Sequence, residues 1–188
     1  MTFLNKNSLL LILSLTLASS PLSAKTIVGF GMSQQSGGVA INKELALARA
    51  NEFLAQQASI ATFVYRKTDR KISFERFLRT KLNNVKIAKR ETLKNSGVAI
   101  WLQADADIPT YTDARCQPVK QSLDRDKNSD RVLMGMLEQS IPDLLKPSLK
   151  KGREVKGLSY LRKLSVEKNW LGNYSITAEV CVAQLTVR

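Results

Sequence analysis

The spacing of apolar residues along the chain predicts a mixture of helices and strands. Helical spacing is clearest over residues 39–64, where Ala46, Ala50, Leu54 and Ala58 fall on one stripe. Short alanine side chains let two backbones approach each other, so this stripe predicts a helix packed closely against a sheet. Glycines in the segment before it are read as residues that permit turns and close helix–strand packing.

Alternation of apolar and polar residues, the period of a half-buried strand, predicts five strands. They cover residues 26–32, 85–89, 98–108, 155–168 and 173–187. The clearest is the third, and its apolar face is formed by Val98, Ile100, Leu102, Ala104, Ala106 and Ile108. Such regular alternation indicates a sheet with one buried face and one wetter face.

Three other segments have weaker patterns. The apolar spacing over 72–82 fits a short helix better than a strand, and 110–129 is read as a polar loop. A second helix is predicted from about Asp130 to the segment 147–152. Pro142 lies inside it and is expected to kink or split it.

The resulting order is β-α-(α)-β-β-α-β-β. It predicts an α+β fold with an antiparallel-rich sheet and two main helices packed on one face. We expect residues 25–188 to form a single domain. The order helix–strand–strand occurs twice, over 39–108 and 130–187, so a division into two α-β-β halves is left open.

The N-terminal segment 1–24 has the three parts of a secretory signal peptide. Lys6 precedes an apolar run over 9–18, and Leu22-Ser23-Ala24 is a suitable cleavage site. The apolar run is about ten residues long, whereas a membrane-spanning helix needs roughly 20. We therefore expect a cleaved leader and an exported protein in the periplasm, with association with the outer membrane or release from the cell left open.

The chain is strongly basic, with 29 Lys and Arg against 16 Asp and Glu and a net charge of +13. The basic residues concentrate over 66–81 and 146–163. Such a balance favours anionic partners, namely lipopolysaccharide, anionic lipid, acidic proteins or nucleic acid. A basic surface that is simply solvated is the alternative.

The chain contains no histidine. Catalytic sets that need an imidazole base are therefore excluded, as are zinc sites built on histidine. Asp105 and Asp107 lie on one face of a predicted strand, about 7 Å apart by strand rise, which is compatible with a carboxylate pair of a hydrolase. Solvated carboxylates at a strand end are the favoured interpretation, and we expect no enzyme and no cofactor.

Oxygen-bearing residues alternate in one segment as they do in the first half of a calcium-binding loop. They are Asp124, Asp126, Asn128 and Asp130. Ser129 replaces the glycine that such a loop needs, and Gly135 stands where a bidentate Glu is required. A helix N-cap at Ser129 or Asp130 is therefore the competing explanation.

The only two cysteines are Cys116 and Cys181. In an oxidising compartment such a pair most simply forms one disulfide. Cys181 alternates with Val180 and Val182, so we expect it on the outer face of the last strand. A bond to Cys116 is then expected to pin the 110–129 loop across that face. Two buried free thiols are the alternative.

A resemblance to a known protein family rests on four consecutive features. They are the strand Ile27-Val28-Gly29-Phe30-Gly31, the helical stretch Leu45-Ala46-Leu47-Ala48-Arg49-Ala50, an amphipathic stretch and a strand pair. The chain resembles the bacterial envelope family that contains the lipoprotein-20 proteins and the N-terminal domain of flagellar assembly protein T, over about residues 26–108. Unlike the lipoprotein members, this chain has no lipidation cysteine. The resemblance implies a non-catalytic accessory subunit of an envelope structure, such as a flagellar ring or a secretion apparatus, with other envelope proteins as partners.

Two functions from different classes therefore stand as hypotheses. The first is a structural or accessory subunit of a cell-envelope assembly. The second is a basic module that binds anionic ligands.

Overall fold

The computed structural model describes residues 25–108, 110–123, 129–150 and 153–188. The predicted signal peptide at 1–24 lies outside the described residues. Among the described residues, no helix is both long enough and apolar enough to cross a membrane.

The described residues form an α+β fold of two helices and eight strands. The helices are α1 (Gly38–Gln57) and α2 (Ser129–Leu149). The strands are β1 (Lys25–Ser33), β2 (Ser59–Arg66), β3 (Lys71–Arg79), β4 (Leu82–Thr92), β5 (Val98–Ala106), β6 (Arg115–Leu123), β7 (Glu154–Lys168) and β8 (Tyr174–Val187). This confirms the predicted fold class and the strands β1, β4, β5, β7 and β8.

The strands form two antiparallel sheets. The order is β1-β5-β4 in the first and β3-β2-β7-β8-β6 in the second. The chain crosses between them at residues 80–81, because β3 pairs with β2 whereas β4 pairs with β5. A single sheet was expected, since the alternating pattern shows which face of a strand is buried but does not show which strands are neighbours.

Helix α1 packs on the three-stranded sheet through its alanine stripe. Ala46, Ala50 and Leu54 are fully buried against β1 and β5. A Cβ atom added at Gly31 of β1 lies within 2.5 Å of Ala50 N and closer still to Ala46 O. The predicted close approach of helix and sheet is thus confirmed, and the glycine on the strand is what permits it.

The two sheets and α2 share a larger core. Helix α2 contributes Leu133, Met136, Ile141 and Leu145, all fully buried. Three aromatic rings join the sheets, because the Phe30 ring of β1 lies 4.9 Å from both Trp101 of β5 and Tyr174 of β8, measured between centroids. The core therefore fixes Tyr174, the first residue of β8, against the three-stranded sheet.

Three expectations about local structure are wrong. The first helix ends at Gln57 and not at residue 64, because Ser59–Arg66 forms β2 between β3 and β7. Residues 71–79 form β3 instead of a helix. The segment 110–129 contains β6, which pairs with β8. In each case pairing with another strand overrides the local pattern: β2 with β7, β6 with β8, and β3 with the neighbouring β2.

Pro142 does not split α2. The helix runs from Ser129 to Leu149 with Pro142 and Pro147 inside it. Buried residues lie on both sides of Pro142, with Leu137 before it and Leu145 after it. Both halves are therefore held against one core, which offsets the hydrogen bond that a proline removes.

Candidate functional site

The cysteines form the predicted disulfide. Cys116 and Cys181 stand directly opposite each other on β6 and β8, with their Cα atoms 4.1 Å apart. Cys116 therefore lies on a strand and not in a long loop, so the predicted position of the bond is wrong although the pairing is confirmed. The bond fastens β6, an outer strand, to its neighbour.

The disulfide also removes a candidate metal site. Among the described residues, the only group of three clustered potential ligands is Cys116, Cys181 and Glu179. Both sulfur atoms are in the disulfide, and Glu179 accepts hydrogen bonds from Arg162 and Lys163. This group has no thiolate to offer a metal ion.

The structure leaves the calcium hypothesis untested. Asp124, Asp126 and Asn128 lie outside the described residues. Asp130 is the second residue of α2. The set therefore stays a prediction.

Asp105 joins three strands. Its carboxylate accepts hydrogen bonds from Asn84 Nδ2 at 2.8 Å and from Thr26 Oγ1 at 3.1 Å. These bonds, that of Asn84 first, lower the pKa of Asp105, which is the wrong direction for a general acid. Asp107 is exposed beyond the end of β5. The geometry of Asp105 is that of a structural carboxylate, which fastens β1 and β4 to β5.

Two exposed strands carry part of the first basic stretch and the basic residues that follow it. We call β3 and β4, residues 71–92, the basic ribbon. Each of its strands has a single neighbour, β2 for β3 and β5 for β4. The basic ribbon contains seven basic residues and only two acidic ones, Glu75 and Glu91. The basic residues are Lys71, Arg76, Arg79, Lys81, Lys86, Lys89 and Arg90.

Apolar side chains lie exposed between these charges. Phe77, Leu78, Val85 and Ile87 on the basic ribbon are all exposed large hydrophobic residues. Lysines on an outer strand protect it from unwanted pairing, but this function does not need exposed aromatic and aliphatic groups. Apolar patches of this kind, rimmed by polar residues, are typical of interaction surfaces.

Four residues of the second basic stretch are paired with acids. Lys146 Nζ lies 2.8 Å from Asp143, and Lys156 Nζ lies 3.8 Å from Glu75 of the basic ribbon. Arg162 and Lys163 share Glu179. On the basic ribbon seven cations stand against two carboxylates, so this segment alone carries a net charge of +5.

Among the residues that the structure describes, the most exposed large apolar one is Trp170. It is 91% exposed, and Leu171 beside it is 59% exposed, in the turn between β7 and β8. We call residues 169–173 the Trp170 turn. The Asn169 N–H donates to Asn173 O at 2.8 Å, and Gly172, at φ +83°, donates to Asn169 O at 3.0 Å. The turn is thus closed by hydrogen bonds while its tryptophan extends into solvent.

A charged network links the Trp170 turn to the basic ribbon. Lys168 pairs with Glu91, and Lys89 lies 3.5 Å from the same carboxylate. Lys168 Nζ lies 5.5 Å from the Tyr174 ring centroid, and Lys89 Nζ lies 4.6 Å from that of Trp101. The Lys168 hydrogen bond lowers the pKa of Glu91, and burial raises the pKa of Tyr174.

The same contacts border a cavity of about 210 Å³ between the turn and residues 91–94. Leu171 and Tyr174 line one side of it and Leu93 the other. The Trp170 turn therefore adjoins the end of β4 in the basic ribbon.

The chain has no match among protein-family models, curated proteins or solved structures. The resemblance to the envelope family therefore stays a prediction, and the candidate surface rests on this chain's own residues.

Sequence reasoning located the turn but missed its tryptophan. The available signal was an apolar Trp-Leu pair next to Gly172-Asn173, where turns between strands are normally polar. The basic ribbon was missed because β3 was expected to be a helix.

Proposed function

We propose that this protein is an exported, non-catalytic accessory subunit of a bacterial cell-envelope assembly. It docks on an acidic partner protein through the Trp170 turn and the basic ribbon. The observation that carries the proposal is the 91% exposure of Trp170 on a hydrogen-bonded turn. The predicted leader and the resemblance to envelope proteins support the location and the kind of assembly.

A fixed, exposed tryptophan is suited to binding a protein. Tryptophan is among the residues most enriched at the energetic centres of protein interfaces, where it fills a pocket on the partner. The turn is already ordered by its own hydrogen bonds, so little conformational entropy is lost when it binds. Lys89 at the end of β4 and the other cations of the basic ribbon favour an acidic partner and speed its encounter.

A photo-crosslinking amino acid at position 170, introduced in the native cell, is expected to give one adduct of fixed mass. The matched control carries the same group at Glu138, an exposed position on α2, and gives no such adduct. Lys86→Glu is expected to weaken the adduct at position 170, because it reverses a charge on the ribbon. Absence of an adduct at 170, together with a free monomer in the periplasmic fraction, contradicts the proposal.

A second candidate function is binding of anionic lipid or lipopolysaccharide, and the seven cations of the basic ribbon favour it. The double variant Arg76→Gln, Lys86→Gln is expected to bind anionic vesicles about 30-fold less tightly, at about 1 kcal/mol per cation near a membrane surface. Co-sedimentation with phosphatidylglycerol vesicles measures this.

The matched control is Lys43→Gln, Lys150→Gln, which removes the same charge at exposed positions outside the ribbon. Wild-type binding is also expected to fall steeply between 0.05 and about 1 M salt, as the screening length shortens to about 3 Å. Equal losses in both double variants would assign the binding to net charge alone. No binding at low salt rules this function out.

A further inference from the structure

A second cavity, of about 240 Å³, lies where the two sheets meet. It is bordered by the start of β1, the end of α1, Ile108 and Thr110 after β5, and the middle of β7. Ile27, Val28, Ile108 and Leu164 give it an apolar wall. Tyr160 also lines it, and burial raises the pKa of this tyrosine. The interior is thus suited to an apolar chain, and it is smaller than the roughly 300–1,000 Å³ of ordinary small-molecule sites.

Cations border this cavity. The cavity is lined by Lys25, Arg162 and Lys163. None of the described residues that line the cavity is Asp or Glu. Arg162 Nε lies 2.6 Å and Lys163 Nζ 2.9 Å from the Glu179 carboxylate. Two cations thus share one anion, and Lys25 adds a third positive charge. This leaves an excess of positive charge for a bound anion.

A β-bulge places these cations. Arg162 stands opposite Glu179 and Ser165 opposite Thr177, so β7 has one residue more than β8 in this interval. Lys163 adopts φ +52°, which is rare for residues other than glycine. Bulges redirect side chains and occur often beside functional sites. Here the bulge allows two consecutive side chains to reach the same carboxylate.

A buried polar atom in the wall has no partner. Gln57 lines the cavity and is 4% exposed, and its Oε1 has no hydrogen-bond partner among the described residues. An acceptor buried without a partner is costly. Rotation of the Gln57 amide about its last side-chain bond turns this oxygen, which solvent does not reach in the free protein, towards a ligand hydroxyl in the cavity.

We propose that this cavity binds a short, single-chain carboxylate that carries a hydroxyl group on its chain. The apolar wall contacts the hydrocarbon chain, the cations bordering the cavity bind the carboxylate, and the ligand hydroxyl donates a hydrogen bond to Gln57 Oε1. The site is separate from the Trp170 turn and does not depend on the proposed docking function.

Calorimetry on the exported protein tests this with three probes at concentrations where they are monomeric. 3-Hydroxyoctanoate is expected to bind about fivefold more tightly than octanoate, the gain from one hydrogen bond to a neutral group. It is expected to bind at least tenfold more tightly than 1-octanol, which lacks the carboxylate. Gln57→Leu should bring 3-hydroxyoctanoate and octanoate within about twofold of each other.

Ile108→Trp fills the cavity and should abolish binding of both acids. Its control is Val85→Trp on the basic ribbon, which should leave binding unchanged, and circular dichroism checks that all variants fold. Equal affinity of wild type for 3-hydroxyoctanoate and octanoate overturns the role of Gln57. Equal affinity for 3-hydroxyoctanoate and 1-octanol overturns the role of the cations. Absence of binding at millimolar probe, or unchanged binding in Ile108→Trp, overturns the site itself.

Discussion

Removal of the Cys116–Cys181 disulfide is expected to lower the free energy of unfolding by about 4 kcal/mol. The bond closes a loop with a sequence separation of 65 residues, and the chain-entropy model gives about 4 kcal/mol for a loop of that length. It also holds β6, which pairs only with β8 at the edge of the five-stranded sheet. Without the bond, β6 is retained by its ladder and its contacts with α2 alone.

Urea unfolding of the double variant Cys116→Ala, Cys181→Ala against the oxidised wild type measures this difference. The control is a reductant, which should destabilise the wild type and leave the variant unchanged. Alkylation of denatured protein from its native compartment should add no label before reduction and two labels after it. Two labels before reduction, or a wild type whose stability is insensitive to reductant, contradicts the prediction.

Gly31→Ala is expected to destabilise the protein by about 3 kcal/mol, a large effect for the addition of one methyl group. The new Cβ meets the backbone of α1 at Ala46 and Ala50, and a backbone atom has no alternative rotamer with which to move away. The helix must shift from the sheet and open the packing of its alanine stripe. Overpacking of a tight core costs about 1–3 kcal/mol, and this contact lies at the upper end.

Gly135→Ala in α2 is the matched control. The nearest heavy atom to its added Cβ is Gln121 Oε1, at 3.9 Å, so the same substitution meets no obstacle. It should stabilise the protein by up to about 1 kcal/mol through helix propensity. Thermal or urea unfolding compares the two variants. A Gly31→Ala protein as stable as the wild type would show that α1 does not lie directly on β1.

The local pattern of apolar and polar residues was sufficient to predict which face of a helix or strand is buried. The alternation over residues 98–108 predicted the buried face of β5, and the alanine stripe predicted how closely α1 packs. The cysteine count, together with the predicted export, gave the right pairing of Cys116 with Cys181. Each of these follows from residues near in sequence or from counting, and none requires knowledge of which strands are neighbours.

Pairing between distant strands decided what local pattern did not. Residues 59–64 continue a helical pattern, yet they form β2 because β3 and β7 satisfy their backbone groups on both sides. The segment around Cys116 is polar enough for a loop, yet β8 pairs with it. A backbone hydrogen bond to a remote strand leaves little trace in the residues nearby.

The candidate functional surfaces likewise have some features that the sequence predicts and others that depend on the tertiary structure. The sequence by itself determined the basic balance, the absence of imidazole chemistry and the turn near residue 172. Only the tertiary structure placed the Trp170 turn beside the end of β4. Only the meeting of two sheets put Gln57 in one cavity with Arg162 and Lys163. These residues are far apart along the chain, and a shared core brings them together because burying its apolar side chains fixes how the sheets and helices pack.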